Sequence, residues 1–254
     1  MSYLNRVGEV KKNSFGTEMK IIRYKDSADI TVKFLDEFGF ERDATYSNFK
    51  RGTIRNPYDR TVKEIGYFGV GEYKVQYPND KTYTKEFVCW KNMLERCYQS
   101  KYANLHPSYY GICEVCEEWH NLQNFAKWHE ENFYEVNERL HLDKDIKYPG
   151  NTLYSPDTCI LVPQRINLLF MNKTNNRGLP NGIDKHPNGY TATYNNNKLG
   201  VFSTVEEAFE VYAKKKKETI IEVANEYKSI LPSHVYDAIV AHEFNIKNDK
   251  NYKE

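Results

Sequence analysis

The chain has 254 residues, 40% of them hydrophobic and 28% charged, with a formal net charge of +1. Such a length allows one large domain or two to three small ones, and the composition supports folded cores. The near-neutral balance excludes a global electrostatic pull toward nucleic acid, so any attraction to a polyanion must be local. It is strongest over residues 161–205, where five basic side chains face Asp184 alone. No apolar run approaches a membrane span, and MSYLNRVGEVKKNS lacks the apolar centre of a signal peptide. The five cysteines are an odd number in a chain able to fold without staples, which points to a reduced, intracellular protein. The 21 tyrosines suggest binding surface without naming a ligand.

In chain order, residues 1–78 read mostly as strand. MKIIRY, DITVKFLD and YFGVGEYKVQY are rich in β-branched and aromatic residues and are broken by Gly and Asn-Pro turns, while YSNFKRGTIRNPY inserts a helical turn before Gly52. A small curled β domain fits, either a structural module or an accessory one for nucleic acid or a partner. TKEFVCWKNMLERCYQSKY then sets Phe87, Trp90, Met93, Leu94 and Cys97 near one helix face, with Thr84 as cap. HPSYYGICEVCEEWH reads as a loop with a short strand, and NLQNFAKWHEENFYEVNERL as a helix interrupted near Asn132. Turns at Pro149-Gly150 and Ser155-Pro156 precede a strand at CILVP and a helix of two or three turns in QRINLLFMNK.

Thr174 to Pro180 has the composition of a linker. Beyond it GYTATY alternates, Asn195-Asn196-Asn197 turns, and KLGVF returns as the next strand. Thr204 caps VEEAFEVYAKKKKETIIEVANEY, with Glu207 completing a capping box and Ala208, Val211 and Tyr212 turned to the small sheet. Lys214–Lys217 spread around this helix, as a solvated face or as salt-dependent contacts to phosphate backbone. FNIKNDKNYKE is polar and expected to fray.

Two segments resemble known families. Trp90, Arg96 and Cys97, then Val115, Cys116 and Trp119, then Leu142-Asp143-Lys144-Asp145, then Tyr154, Pro156 and Cys159 resemble the pattern of phage-borne HNH endonucleases over about residues 84–172. Gly182-Ile183, Tyr190 to Tyr194, Leu199-Gly200-Val201-Phe202 and Thr204-Val205-Glu206-Glu207-Ala208 resemble the AP2-type DNA-binding domain, a three-stranded sheet on one helix. Mobile phage endonucleases often carry the second behind the first. The resemblances imply an α+β chain: a β-rich accessory domain over 1–78, a degenerate HNH (ββα-metal-like) domain over 79–173, and an AP2-like domain over 176–246.

The first resemblance implies a base that activates water beside one divalent ion, Mg²⁺ or similar. It places Asp143, Lys144 and Asp145 at the start of the motif and Asn167 on the closing helix, with Asp143 and Asn167 as metal ligands. Lys144 stands where a basic or histidine side chain is expected and is suited to a phosphate contact. The base itself could come from His141, His120 or His129, and Asp145 could equally stabilise the turn before Pro149-Gly150. Cys113-Glu-Val-Cys116 could bind structural Zn²⁺ with His120 or Cys159, or supply structural thiols.

The second resemblance implies duplex DNA binding through Lys185, His186, Tyr190, Thr191, Thr193, Tyr194, Asn196 and Lys198. No arginine follows Arg177, so lysine and tyrosine there favour backbone attachment or stacking over bidentate base contacts. The implied function is a metal-dependent HNH-type endonuclease acting on double-stranded DNA in the host-cell cytoplasm, with no membrane partner. The alternative is a non-catalytic protein that binds nucleic acid or a host protein, such as an inhibitor of a host defence nuclease.

Overall fold

The computed structural model describes residues 5–101, 103 and 109–253, and falls into two compact units: residues 1–111 with 117–127, and residues 112–116 with 128–254. The first residues of the loop expected from His106, Tyr102 at the end of the first long helix, and residues 1–4 of the opening segment lie outside the described residues. The fold is α+β, with a small N-terminal sheet, mixed helices and short strands, and a C-terminal three-stranded sheet with helices.

The first unit opens with an antiparallel sheet in the order β1 (Val10–Lys12), β2 (Glu18–Tyr24), β3 (Ile30–Phe34), β4 (Glu41–Ala44). Alternation along β2 and β3 buries Met19, Ile21, Ile30, Val32 and Phe34 on one face, where Phe49 and Ile54 complete the core. Phe49 comes from α1 (Tyr46–Arg51), the expected helical turn; the Thr45 side chain caps it and it ends at Gly52 in the left-handed conformation.

YFGVGEYKVQY, expected as a strand, is not one: it makes only isolated bridges, from Tyr67 to Asn121 and from Gln76 to Tyr83. Gln123 takes the place of a partner strand. Its Nε2 donates to the carbonyls of Phe68 and Tyr73, both at 3.1 Å, and its Oε1 accepts from the Tyr73 amide at 3.0 Å. The glycines let the backbone close on these amides: Gly69 has φ +67°, and a Cβ there would lie 2.2 Å from Asn121 Oδ1. α2 (Lys85–Tyr98) has the expected Thr84 cap and buries the expected apolar face, with Trp90 Nε1 donating to the Trp119 carbonyl at 2.7 Å. α3 (Leu122–Asn132) stops at Asn132, where interruption was expected.

The second unit contains a short parallel pair, β5 (Glu114–Val115) with β7 (Leu153–Tyr154), and an antiparallel pair, β6 (Leu140–Asp143) with β8 (Ile160–Pro163). β8 runs directly into α4 (Gln164–Leu169), which at six residues is shorter than expected. The C-terminal sheet has the order β11-β10-β9, from β9 (Ile183–His186), β10 (Gly189–Tyr194) and β11 (Asn197–Phe202). Asn195 and Asn196 both have positive φ, the backbone a two-residue hairpin turn needs.

α5 (Val205–Glu226) carries the expected capping box between Thr204 and Glu207. It serves two cores. Ala208, Phe209 and Tyr212 pack under the sheet with Ile183 and Ala192, whereas Ile220, Val223 and Ala224 pack with Ile146, Ile160, Val162 and Ile166 around β8 and α4. Val235 and Ile239 of α6 (Ser233–Ala241) close this second core. Residues on both sides of the boundary expected near 174–176 thus share one apolar cluster.

Two local expectations need correction. Within the lysine run, Lys216 is buried, its ammonium 4.6 Å from the centre of the Phe244 ring, while Lys215 pairs with Glu218 and Lys217 with Glu243. The polar tail does not fray. Asp249 and Asn251 are buried; Asp249 Oδ2 accepts from the Asn181 amide at 3.1 Å, and Asn251 Nδ2 donates to the Lys173 carbonyl at 2.9 Å. Its buried polar groups are satisfied by the segment read as a linker, so polarity did not mean solvation.

Candidate active site

β6 and β8 pair in the register His141↔Val162 and Asp143↔Ile160. Strand alternation puts His141 and Asp143 on one face and the buried Leu142 on the other. α4 follows with no loop; the Gln164 amide donates to the Arg139 carbonyl at 2.9 Å, and the Arg165 amide to Glu138 Oε2 at 2.7 Å. Ile166 anchors the helix in the core, and the next residue, Asn167, is half-buried with its Nδ2 3.2 Å from His141 Nδ1. The two residues are 26 apart in sequence and meet only because of this strand–strand–helix frame.

As placed, the Asn167 amide donates to Nδ1, which leaves the proton of a neutral ring on Nε2. Turning the amide by half a rotation lets its oxygen accept from Nδ1–H and makes Nε2 the basic nitrogen. An amide in this position therefore pairs with either tautomer, and its orientation sets which ring nitrogen is basic.

Asp143 has a divided carboxylate. Oδ1 accepts from the amides of Asp145 (2.8 Å) and Ile146 (2.7 Å), closing the turn after β6, while Oδ2 takes no hydrogen bond among the described residues. Burial, with the neighbouring charge of Asp145 added, pushes the Asp143 carboxyl up to about 6, against the two amides and Lys144. Lys144 is buried: its ammonium holds both oxygens of Asp145, at 2.8 and 2.9 Å, and the Asn151 carbonyl at 2.5 Å. Lys144 thus uses its charge inside the loop rather than on a phosphate, whereas the Asp145 side chain, though paired with it, stays 41% exposed.

Among the described residues, no group of three or more His, Cys, Asp and Glu side chains gathers to hold a metal. A closed zinc site needs four such donors, and none of the five cysteines is in a disulfide. Mg²⁺ makes a smaller demand, since it keeps several waters and takes one or two carboxylates together with substrate phosphate. The available oxygen of Asp143 and the amide of Asn167 suit that donor set.

The C-terminal sheet sorts its candidate residues by face. Ile183 and Ala192 face α5, and so do Tyr190, Tyr194, Leu199 and Phe202, with Tyr194 edge-on to Tyr212 at 5.8 Å between ring centres. Tyr190 and Tyr194 are thus packing residues rather than stacking platforms. Lys185 lies opposite Tyr190 but is itself exposed, and Asn196 sits in the hairpin turn. The other face carries Thr191 and Thr193, with Lys198 beside Thr193, Val201 and Asp184 beside Thr191, and His186 at its end. Arg177, which motif reading did not assign, pairs with Asp184 at 2.5 Å and so adds an arginine to this face. His120 and His129 were the other candidate bases; His129 is buried.

No family model matches the chain, and neither a curated protein nor a solved structure does. No helix among the described residues is long and apolar enough to cross a membrane.

Proposed function

We propose that this protein is a DNA-binding, divalent-metal-dependent endonuclease of the phage HNH type. The observation that carries this reading is the approach of His141 and Asn167, at 3.2 Å, on an antiparallel pair followed at once by a helix. In the proposed mechanism, Asn167 turns its amide oxygen to Nδ1–H and so orients the His141 ring, and the ring takes the proton of the attacking water at Nε2. Asp143 Oδ2 and Asn167 would hold the metal, which when bound polarises the scissile phosphate. Thr191, Thr193, His186, Lys198 and Arg177 on the open face of the sheet would hold the duplex, chiefly through its backbone. The proposed setting is the cytoplasm of a host cell.

A second reading is supported by Asp143 and Lys144. One carboxylate oxygen and the whole ammonium serve the loop, as they would in a descendant that kept the frame and lost the chemistry. Such a protein would bind nucleic acid, or a host protein such as a defence nuclease, without cutting.

Incubation of supercoiled plasmid with the protein and Mg²⁺, Mn²⁺ or Ni²⁺ separates the two readings. The endonuclease should nick it, and His141→Ala and Asn167→Ala should each slow nicking by about 10²-fold or more while duplex binding persists. Salt-sensitive duplex binding with uncut plasmid would leave only the binding reading. Absence of both would leave a protein partner as the remaining candidate.

A further inference from the structure

The N-terminal unit has an open cleft of about 280 Å³ between the edge strand β4, α1 and the extended segment after it, lined by Arg42, Asp43, Asn48, Thr53 and Arg55. Several cations of the neighbouring strands and turns have counter-charges: Arg23 has Asp29 and Asp43, Lys33 has Glu41, and Arg6 has Glu9. Arg42 and Arg55 do not, since neither meets a carboxylate among the described residues. Arg42 is instead tethered to the cleft wall by Nη1, which donates to the Arg55 carbonyl at 3.0 Å. Arg51 stands at the end of α1 and donates to Asn48 Oδ1 at 2.6 Å, adding a third guanidinium beside the cleft.

Asp43 is the one acidic residue of the lining, and it is already matched. Its Oδ1 accepts from Thr31 Oγ1 at 2.6 Å and from Arg23 Nη2 at 3.1 Å, which holds its carboxyl below the usual range. What remains is a concave surface with two uncompensated guanidinium groups and the Asn48 Nδ2, beside the Thr53 hydroxyl, which donates to the Asn48 carbonyl at a long 3.4 Å and can turn to a ligand. Forked donors of this kind match the oxygens of a tetrahedral oxyanion. The volume is enough for a phosphate group with its attached oxygens and below the range that encloses a drug-sized molecule.

We infer that this cleft is a phosphate-binding site of the N-terminal unit, formed by Arg42 and Arg55 with Asn48 and Thr53. The phosphate is either a diester of a nucleic-acid backbone or a free phosphate. The site is independent of the strand–strand–helix frame and of whether the protein cuts DNA.

Two measurements on the full chain test it. In the first, inorganic phosphate is titrated into wild-type protein against a chloride control, while the Arg42 and Arg55 side-chain and Asn48 and Thr53 amide resonances are followed by NMR. Saturable shifts confined to these residues are expected, and their absence overturns the site. In the second, duplex affinity is measured across a salt series for wild type, Arg42→Gln/Arg55→Gln, and the charge-keeping Arg42→Lys/Arg55→Lys. If the source is nucleic-acid backbone, the Gln pair should lose about tenfold in affinity. Its slope of log affinity against log salt should fall by about 2, from roughly 0.9 per lost contact, with the Lys pair intermediate. If inorganic phosphate shifts the site and the Gln pair leaves duplex binding unchanged, the ligand is a free phosphate. The wild-type titration decides the site even if the Gln pair fails to fold.

Discussion

Lys216 offers the most direct test of the second unit's packing. It is 7% exposed, among Tyr212, Phe244 and His242, and burial lowers its pKa from the ordinary 10.5 to about 8, with the charge of Asp249 opposing the fall. A drop of that size means that burying the charged form costs roughly 3 kcal/mol at pH 7. The ring contact with Phe244 returns about 1–2 kcal/mol of this in a desolvated setting. Lys216→Met keeps most of the side-chain volume and removes the charge, so it should stabilise the protein by about 1–2 kcal/mol at neutral pH.

The pH dependence gives the sign. An unfolded chain keeps this proton up to about 10.5, whereas the folded protein releases it near 8, so the unfolded state binds more protons between those values. Wild-type stability should therefore gain on that of the variant as pH rises through this window, and the gap should close by about pH 9.5. Urea unfolding followed by circular dichroism, for both proteins at about pH 7 and about pH 9.5, measures it. Comparing the two proteins cancels the other lysines, which titrate in both. A gap of the same size at both pH values, or a destabilised variant at pH 7, would refute the assignment of Lys216 as a penalised buried cation.

Gly69→Ala should cost about 2 kcal/mol or more, because the backbone is left-handed there and the new Cβ would meet Asn121 Oδ1 at 2.2 Å; thermal unfolding would show it. Asp249→Ala should cost about 2–4 kcal/mol, since it strands the buried amide of Asn251 and the part-buried amide of Asn181. The same substitution should make residues 244–252 sensitive to brief proteolysis, and unchanged resistance would count against the docked tail.

Local rules were readable where one residue type settles the backbone. Thr84 and Thr204 cap their helices, Asn195-Asn196 makes its turn, and the apolar positions of β2 and β3 alternate into a core. Failures came where a distant partner replaces a local one. YFGVGEYKVQY has strand composition, yet its backbone groups are taken by Gln123, about fifty residues away, which no local pattern could reveal. The tail reads as solvated because its asparagines and Asp249 are polar, and only the fold brings residues 172–181 to satisfy them. α6 did leave a trace, in Leu231, Val235 and Ile239 spaced by four around Pro232. In GYTATY the alternation was correct and its face was open to either choice. Ala192 decides it: a small residue of the same parity as Tyr190 and Tyr194 marks the side where the helix approaches closely.

For the candidate site, the sequence supplied the parts but not their pairing. His141 was one of three possible bases, and Asn167 a remnant on a closing helix; the register of β6 with β8 and the absence of a loop before α4 bring these two together. The same register explains why Lys144 does not join them. It is the first residue beyond β6, and its ammonium reaches Asp145 and the Asn151 carbonyl on the loop side. α5 adds a constraint that motif reading alone does not supply. One continuous helix of 22 residues packs at its start under the sheet and at its end against β8 and α4. The connecting segment is held as well, at Asn172, Asn175 and Asn181, by Asn248, Asn251 and Asp249. A sheet face tethered by a loose linker could sample many positions relative to a cutting centre. A helix shared between both cores permits few, so on the proposed reading the scissile phosphate would lie at a fixed offset from the stretch of duplex that the sheet holds.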